Sequence, residues 1–119
     1  MKILQAEDNL VNKKLLEAFV SRMGHEIFSV ENGREALEAL EQEKYDLVLM
    51  DIQMPVMDGI EALKKIKLDA RLEDLPVIAV SAYSSPEDEV EFINLGFNSF
   101  ISKPVDFDRL KEVIIQFDI

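Results

Sequence analysis

Apolar positions recur along the chain with two alternating periods. Lys2 to Ala6 is a short, mostly apolar run; Val11, Leu15, Phe19, Val20 and Met23 then return at helical spacing. Gly24 follows where a helix stops. Ile27 to Val30 reads as a second short strand. Asn32 and Glu35 stand at capping-box spacing before Ala36, Leu37 and Leu40 on one face. Asp46 to Met50 is an apolar run behind one acid, the pattern of a strand covered on both faces. Asp58 and Glu61 repeat the capping spacing before Ile60, Leu63 and Ile66. Pro76 to Val80 is another buried-type strand. Ser85-Pro86-Glu87-Asp88 opens a helix with a cap, a proline in its first turn and acids that favour its N-terminus, and Gly96 ends it. Ser99 to Ser102 is a fifth strand. Asp106 caps a last helix with Phe107, Leu110, Val113, Ile114 and Phe117 facing inward.

Five β-α units with short loops and no hairpin signal predict parallel strands with helices on both faces. The fold class is α/β, a doubly wound five-stranded parallel sheet. The 119 residues are expected to form one domain over 1–119. No apolar run approaches the roughly 18 residues a membrane span needs, and no signal-peptide pattern opens the chain.

Composition narrows the chemistry. The chain has no cysteine, which excludes disulfides and thiol nucleophiles and fits a cytoplasmic location. A single histidine, His25, is too little for a multi-histidine metal site or a Ser-His-Asp triad, and is expected at the surface in the turn after Gly24. Twenty-four acids against thirteen Lys and Arg give a formal charge of -11, so nucleic acid is not an expected partner. Metal cations and basic protein surfaces match better.

In open parallel sheets, ligands bind beyond the carboxyl ends of the strands. Those ends carry Glu7-Asp8, Asp51, Ser81 and Ser102-Lys103-Pro104. Three carboxylates, a hydroxyl and an amine would therefore meet on one rim. Clustered carboxylates raise one another's pKa, and a hard divalent cation such as Mg²⁺ relieves them. Lys103 adds a point positive charge suited to phosphate. Asp51 can serve as a nucleophile that forms an aspartyl phosphate. Singly, each residue has a plainer use. Glu7-Asp8 would cap the first helix, Asp51 would be a loop acid, Lys103-Pro104 a turn with a cis bond. Their joint placement at four strand ends favours the chemical reading.

These residues resemble a response-regulator receiver domain, the phosphoacceptor half of two-component signalling. Val48 to Gly59 is similar to the family's phosphorylation-site segment, Glu7-Asp8-Asn9 to its acidic pair, and Ser81-Ala82 and Lys103-Pro104 to its later signatures. Gly24, Asn32-Gly33 and Gly96 fall where the family has them, and the resemblance spans residues 2–118. It implies a flavodoxin-like sheet of order 2-1-3-4-5. It also implies that Asp51 takes a phosphoryl group from a histidine kinase or histidine phosphotransfer protein. Asp8 would bind Mg²⁺, with Asp51, Glu7 through water and the Gln53 backbone carbonyl. Lys103 and Ser81 would hold the phosphoryl group. Phe100 would be the switch aromatic that turns inward as Ser81 moves, altering how the fourth helix, fifth strand and fifth helix meet a downstream protein target. The chain would be a signalling switch in a phosphorelay or two-component pathway, not a turnover enzyme, with slow autodephosphorylation only.

Gln5 departs from the pattern as a polar residue inside the first strand; if buried, it needs hydrogen-bond partners. Gln53 and Tyr83, two residues beyond Asp51 and Ser81, fall where the family controls water access to the phosphoryl group, and the resemblance implies that two sizeable side chains there slow phosphate loss. Met50, Met54 and Met57 read as gap-filling apolar residues. Two other classes stand beside this one. An aspartate-nucleophile phosphohydrolase tends to have an acid where this chain has Gln53. A phosphate-independent interaction module of the same fold would not need Asp8, Asp51, Ser81 and Lys103 intact.

Overall fold

Five strands alternate with five helices. They are β1 (Lys2–Ala6), α1 (Leu10–Arg22), β2 (Glu26–Val30), α2 (Gly33–Gln42), β3 (Leu47–Asp51), α3 (Gly59–Lys67), β4 (Val77–Ser81), α4 (Pro86–Leu95), β5 (Ser99–Ser102) and α5 (Phe107–Phe117). Among the described residues, a 3-10 turn at Ala70–Leu72 is the one additional element. This computed structural model describes residues 1–83 and 85–118. All four ladders are parallel, in the order β2-β1-β3-β4-β5.

The strand period of two splits the core into two layers. Leu4, Val48, Met50, Val77, Ala79 and Phe100 face Ala36, Leu63, Ile66 and Phe92 on one side of the sheet. Ile3, Leu47, Leu49, Ile78 and Ile101 face Leu16, Val20, Leu110 and Ile114 on the other. Each large side chain so buried contributes roughly 1.5–3 kcal/mol. All five residues of β3 and of β4 are buried, so the central strands read as near-continuous apolar runs.

Polar caps start each of the five helices, at the expected residues for α2 to α5 and at Asn9, not Glu7 or Asp8, for α1. Asn9, Asn32, Asp58, Ser85 and Asp106 each accept a hydrogen bond from the backbone N–H three residues on. Only Ser85 and Asp88 complete a reciprocal box; Glu35 instead accepts the N–H of Glu31 at 2.9 Å. β3 runs Leu47–Asp51, one residue later than expected. Asp46 clamps the start of β1 instead, its side chain accepting the Lys2 N–H at 2.7 Å. β4 likewise starts at Val77, after Pro76, which has no N–H but offers its carbonyl to Val48 at 2.9 Å.

One polar residue, His25, differs from expectation, and a second, Gln5, meets the condition set for it. The His25 side chain is 12% exposed, and so is largely covered rather than a free surface group. Its Nδ1 lies 2.8 Å from the Met1 amine and its Nε2 3.6 Å from Asp118, at the sheet end opposite Asp51. Gln5 is buried. Its Nε2 donates to Ser29 Oγ at 2.9 Å and to the Lys13 carbonyl at 3.2 Å, while its Oε1 has no partner among the described residues.

Candidate functional site

Backbone bonds draw the strand ends together. Ile52 donates to the Val80 carbonyl at 3.2 Å and Lys103 to the Ser81 carbonyl at 2.8 Å. On that frame, one oxygen each from Glu7, Asp8 and Asp51 lies within 4.8 Å of the others. Glu7 and Asp51 are 1% and 5% exposed, whereas Asp8 is open to solvent. The structure therefore brings together the predicted carboxylates, and it adds Lys103 between two of them. Lys103 Nζ stands 2.8 Å from Glu7 Oε1 and 3.1 Å from Asp51 Oδ2. The Lys103–Pro104 bond is cis.

Local geometry leaves these acids available. Asn9 caps α1, so Asp8 is not used as a cap. Glu7 Oε2 accepts only the Asn9 N–H, at 3.3 Å, and Asp51 Oδ1 accepts the Gln53 N–H at 3.3 Å. Gly59 begins α3 directly beneath Asp51. A Cβ there would collide with the Asp51 carbonyl oxygen and lie 3.0 Å from Met50 Cγ.

Electrostatics follow from one ammonium among three carboxylates. Burial pushes the Glu7 carboxyl above its ordinary value of 4.5, and Asp51 pushes it further, with Lys103 opposing. Burial pulls the Lys103 ammonium down, yet Glu7 and Asp51 outweigh it and leave it raised. A raised Glu7 means that the folded chain holds a proton the unfolded chain has released. Its ionisation therefore lowers stability as pH rises from the ordinary carboxylate range through the folded value. Glu7→Gln mimics the protonated form. Without metal, the variant's melting temperature is expected to gain on wild type from pH 5 to 8; thermal melts across that range check the sign.

Ser81 is buried at the end of β4. Its Oγ accepts the Tyr83 N–H at 3.0 Å, which leaves the hydroxyl proton free to be donated elsewhere. Phe100 is 4% exposed and stacks on Phe92, with ring centroids 5.4 Å apart and planes 22° apart. The ring is thus packed in the core against α4, as a plain core aromatic would be. Gln53 Nε2 donates to Tyr83 Oη at 3.2 Å, linking the loops after β3 and β4.

Sequence reasoning missed an apolar rim. Leu10 and Val11 at the start of α1, and Val56 in the loop after β3, are exposed. Val56 also has φ 68°, a left-handed conformation that costs a β-branched residue roughly 1–2 kcal/mol. No sequence signal marks it, because valine is a poor choice there. With the residue 73% exposed, little packing would be lost on truncation. Val56→Gly is expected to raise stability by about 1 kcal/mol, read from urea unfolding. A groove of about 490 Å³ lies elsewhere, between Tyr45, Arg71 and Pro76 near the start of β4.

A buried carboxylate, two further acids, an ammonium and a hydroxyl donor thus stand together at the strand ends. A family model, the response regulator receiver domain, matches residues 3–115. The polar-differentiation response regulator DivK of Brucella anthropi is 38% identical over 94% of this chain and 91% of its own length. The sensor protein GacS of Pseudomonas syringae is 32% identical over 97% of this chain, which spans only 13% of GacS. Among solved structures, the receiver domain of a Pseudomonas aeruginosa sensor histidine kinase, with a magnesium ion in its active-site cleft, superposes with TM-score 0.89. It is 30% identical, over 98% of this chain and 95% of that one. TrrA of Thermotoga maritima, in complex with Mg²⁺ and BeF, gives TM-score 0.86 at 31% identity, over 98% and 97% of the two chains. The chain belongs to the response regulator receiver domains of two-component systems.

Proposed function

We propose that Asp51 accepts a phosphoryl group from a phosphohistidine on a histidine kinase or histidine phosphotransfer protein. What carries this reading is the joint geometry of Glu7, Asp8 and Asp51, with Lys103 bridging the first and last. An Asp51 carboxylate oxygen attacks phosphorus, the P–N bond to the donor imidazole breaks, and the nitrogen leaves with the bonding pair. Lys103 Nζ, already 3.1 Å from Asp51 Oδ2, follows the charge onto the phosphoryl oxygens. Ser81 keeps its bond from Tyr83 N–H and donates its own proton to a phosphoryl oxygen. The exposed Leu10 and Val11, just after Asp8, and Val56, in the loop after Asp51, offer the donor protein apolar surface.

The donor set fits Mg²⁺. It is all oxygen, and it carries two negative charges beyond what Lys103 neutralises. Glu7, Asp8, Asp51 and the Gln53 carbonyl would hold the ion. When bound, it supplies positive charge beside the transferring group.

The added charge of about -1.5 to -2 gives Ser81 and Lys103 partners that exist only in the phosphorylated form, so that form's arrangement becomes more populated. Phe100 links Ser81's neighbourhood to α4 through Phe92. The output is altered binding of a downstream protein by α4, β5 and α5, with no turnover of a free substrate. The same reading puts the chain in the cytoplasm beside its donor. Gln53, where phosphohydrolases of this chemistry tend to have an acid, disfavours the hydrolase alternative. The intact Asp8, Asp51, Ser81 and Lys103 disfavour a phosphate-independent module.

Intact-protein mass spectrometry after acetyl phosphate and Mg²⁺ tests the proposal. A gain of one phosphoryl group that a chelator prevents is the expected result. No gain from acetyl phosphate or from any phosphohistidine donor would end it. The Gln53–Tyr83 hydrogen bond closes part of the approach to that group. Replacing both residues with alanine is expected to shorten the phosphoryl lifetime severalfold, followed by the decay of the phosphorylated mass. An unchanged lifetime would remove the pair from the account.

A further inference from the structure

The helix α4 is anchored by very little. Phe92 is its one buried residue, stacked on Phe100 and set edge-on to Phe97 at 6.0 Å. Apolar side chains continue on the opposite face. Pro86, Val90 and Ile93 follow one another at i, i+4 and i+7, a single stripe pointing away from the core. Val90 is 60% and Ile93 47% exposed. With Glu89 and Asn94 they line a shallow groove of about 400 Å³.

Acids border the stripe. Glu87, Glu89 and Glu91 are exposed, α4 contains no Lys or Arg, and none of the three is ion-paired among the described residues. Asp88 is spent on the Ser85 cap. Glu89 also borders a second groove of about 390 Å³ over β5, shared with Phe100, Asp106 and Arg109. The one cation there is engaged: Arg109 Nη2 donates to the Phe100 carbonyl at 2.9 Å and Nη1 to Glu112 at 3.4 Å. The whole strip is thus apolar at its centre and anionic at its margins.

We propose that the outer face of α4 docks a basic amphipathic helix of a partner protein. Its apolar residues would lie on Pro86, Val90 and Ile93, and its Lys and Arg would lie against Glu87, Glu89 and Glu91. Charge selects this occupant over a second copy of the chain, because two copies would each bring a formal charge of -11 and set acid against acid. The proposal rests on the reading of α4, β5 and α5 as the output surface and adds the chemistry of the partner; it does not need Asp51 to be phosphorylated.

The probe is a fluorescein-labelled synthetic helix of about five turns, with leucine on one face and Lys and Arg on the rest. Its control has the same composition with the leucines scattered round the helix. Binding is read by fluorescence anisotropy. Val90→Ser/Ile93→Ser is expected to weaken the amphipathic peptide about tenfold or more and leave the scrambled one unchanged. Glu87→Gln/Glu89→Gln/Glu91→Gln is expected to weaken it and flatten its salt dependence. Both sets are at exposed positions, so melting temperatures should match wild type. Equal binding of the two peptides, or indifference to the Val90/Ile93 change, would mean general adhesion to an acidic protein and overturn the proposal. So would a wild-type dimer in sedimentation that the Val90/Ile93 variant loses. Phosphoryl uptake, measured on the same samples, reports separately on Asp51.

Discussion

Asp51→Asn is expected to abolish phosphoryl uptake from acetyl phosphate while leaving the fold intact. The side chain keeps its size and its Oδ1 can still accept the Gln53 N–H, so β3 and the loop after it lose no packing. What disappears is the anionic nucleophile, and an amide oxygen does not replace it at phosphorus. The same change removes one of three crowded carboxylates. Glu7 then loses the neighbour that adds to the effect of burial on its carboxyl, and Lys103 keeps Glu7 at 2.8 Å. Without metal the variant should therefore melt no lower than wild type. Mg²⁺ should raise the wild-type melting temperature by mass action and raise the variant's much less. Mass spectrometry and thermal melts with and without Mg²⁺ check both halves. Uptake that survives in the variant would move the acceptor to another residue. A collapse in stability would show that Asp51 holds the fold rather than the chemistry.

The placement of the candidate site is legible because strand ends can be read from sequence. A buried strand announces itself as an apolar run, and the polar residue that follows it must lie at the sheet's edge. Asp51 and Ser81 were found this way, and each proves to be the last residue of its strand. Other features depended on contacts between distant segments. That Asn9 rather than Glu7 or Asp8 caps α1 is decided by which oxygen reaches the Asn12 N–H. His25 looked like a surface residue until Met1 and Asp118 closed over it. The 3-10 turn at Ala70–Leu72 rests on Asp69 accepting the Arg71 N–H at 3.0 Å, too local a signal to separate from a loop. The position of Phe100 is set by a ring on α4, eight residues earlier in sequence but on a different element. Val56 runs against its own backbone preference, and such conflicts tend to lie at functional sites.

Gly59→Ala is expected to cost about 3 kcal/mol of stability, the upper end of what overpacking does, because the obstacle is backbone. Serine or alanine is tolerated at the start of most helices, and Gly59 has no left-handed φ that would demand glycine. The demand is one of space. Asp58 caps α3 by accepting the Glu61 N–H at 2.8 Å, and the Gly59 N–H donates to the Ile52 carbonyl at 3.0 Å. Together these bonds lay the first turn of α3 against the last residue of β3. An added Cβ would run into the Asp51 carbonyl oxygen and crowd Met50 Cγ at 3.0 Å. Neither the strand, paired on both sides by β1 and β4, nor the buried methionine can yield cheaply. The relief open to the chain is to lift α3 and the loop between Ile52 and Asp58, which carries Gln53. Gly59→Ala should therefore combine a large loss in urea-unfolding stability with a weakened Mg²⁺ response and slower phosphoryl uptake. Gly24→Ala supplies the contrast. Gly24 has φ 87° but nothing within 4 Å of its would-be Cβ, so it should cost about 1 kcal/mol through backbone strain and leave uptake untouched. If both substitutions cost the same and both spare uptake, the close approach of α3 to Asp51 is not what shapes the site.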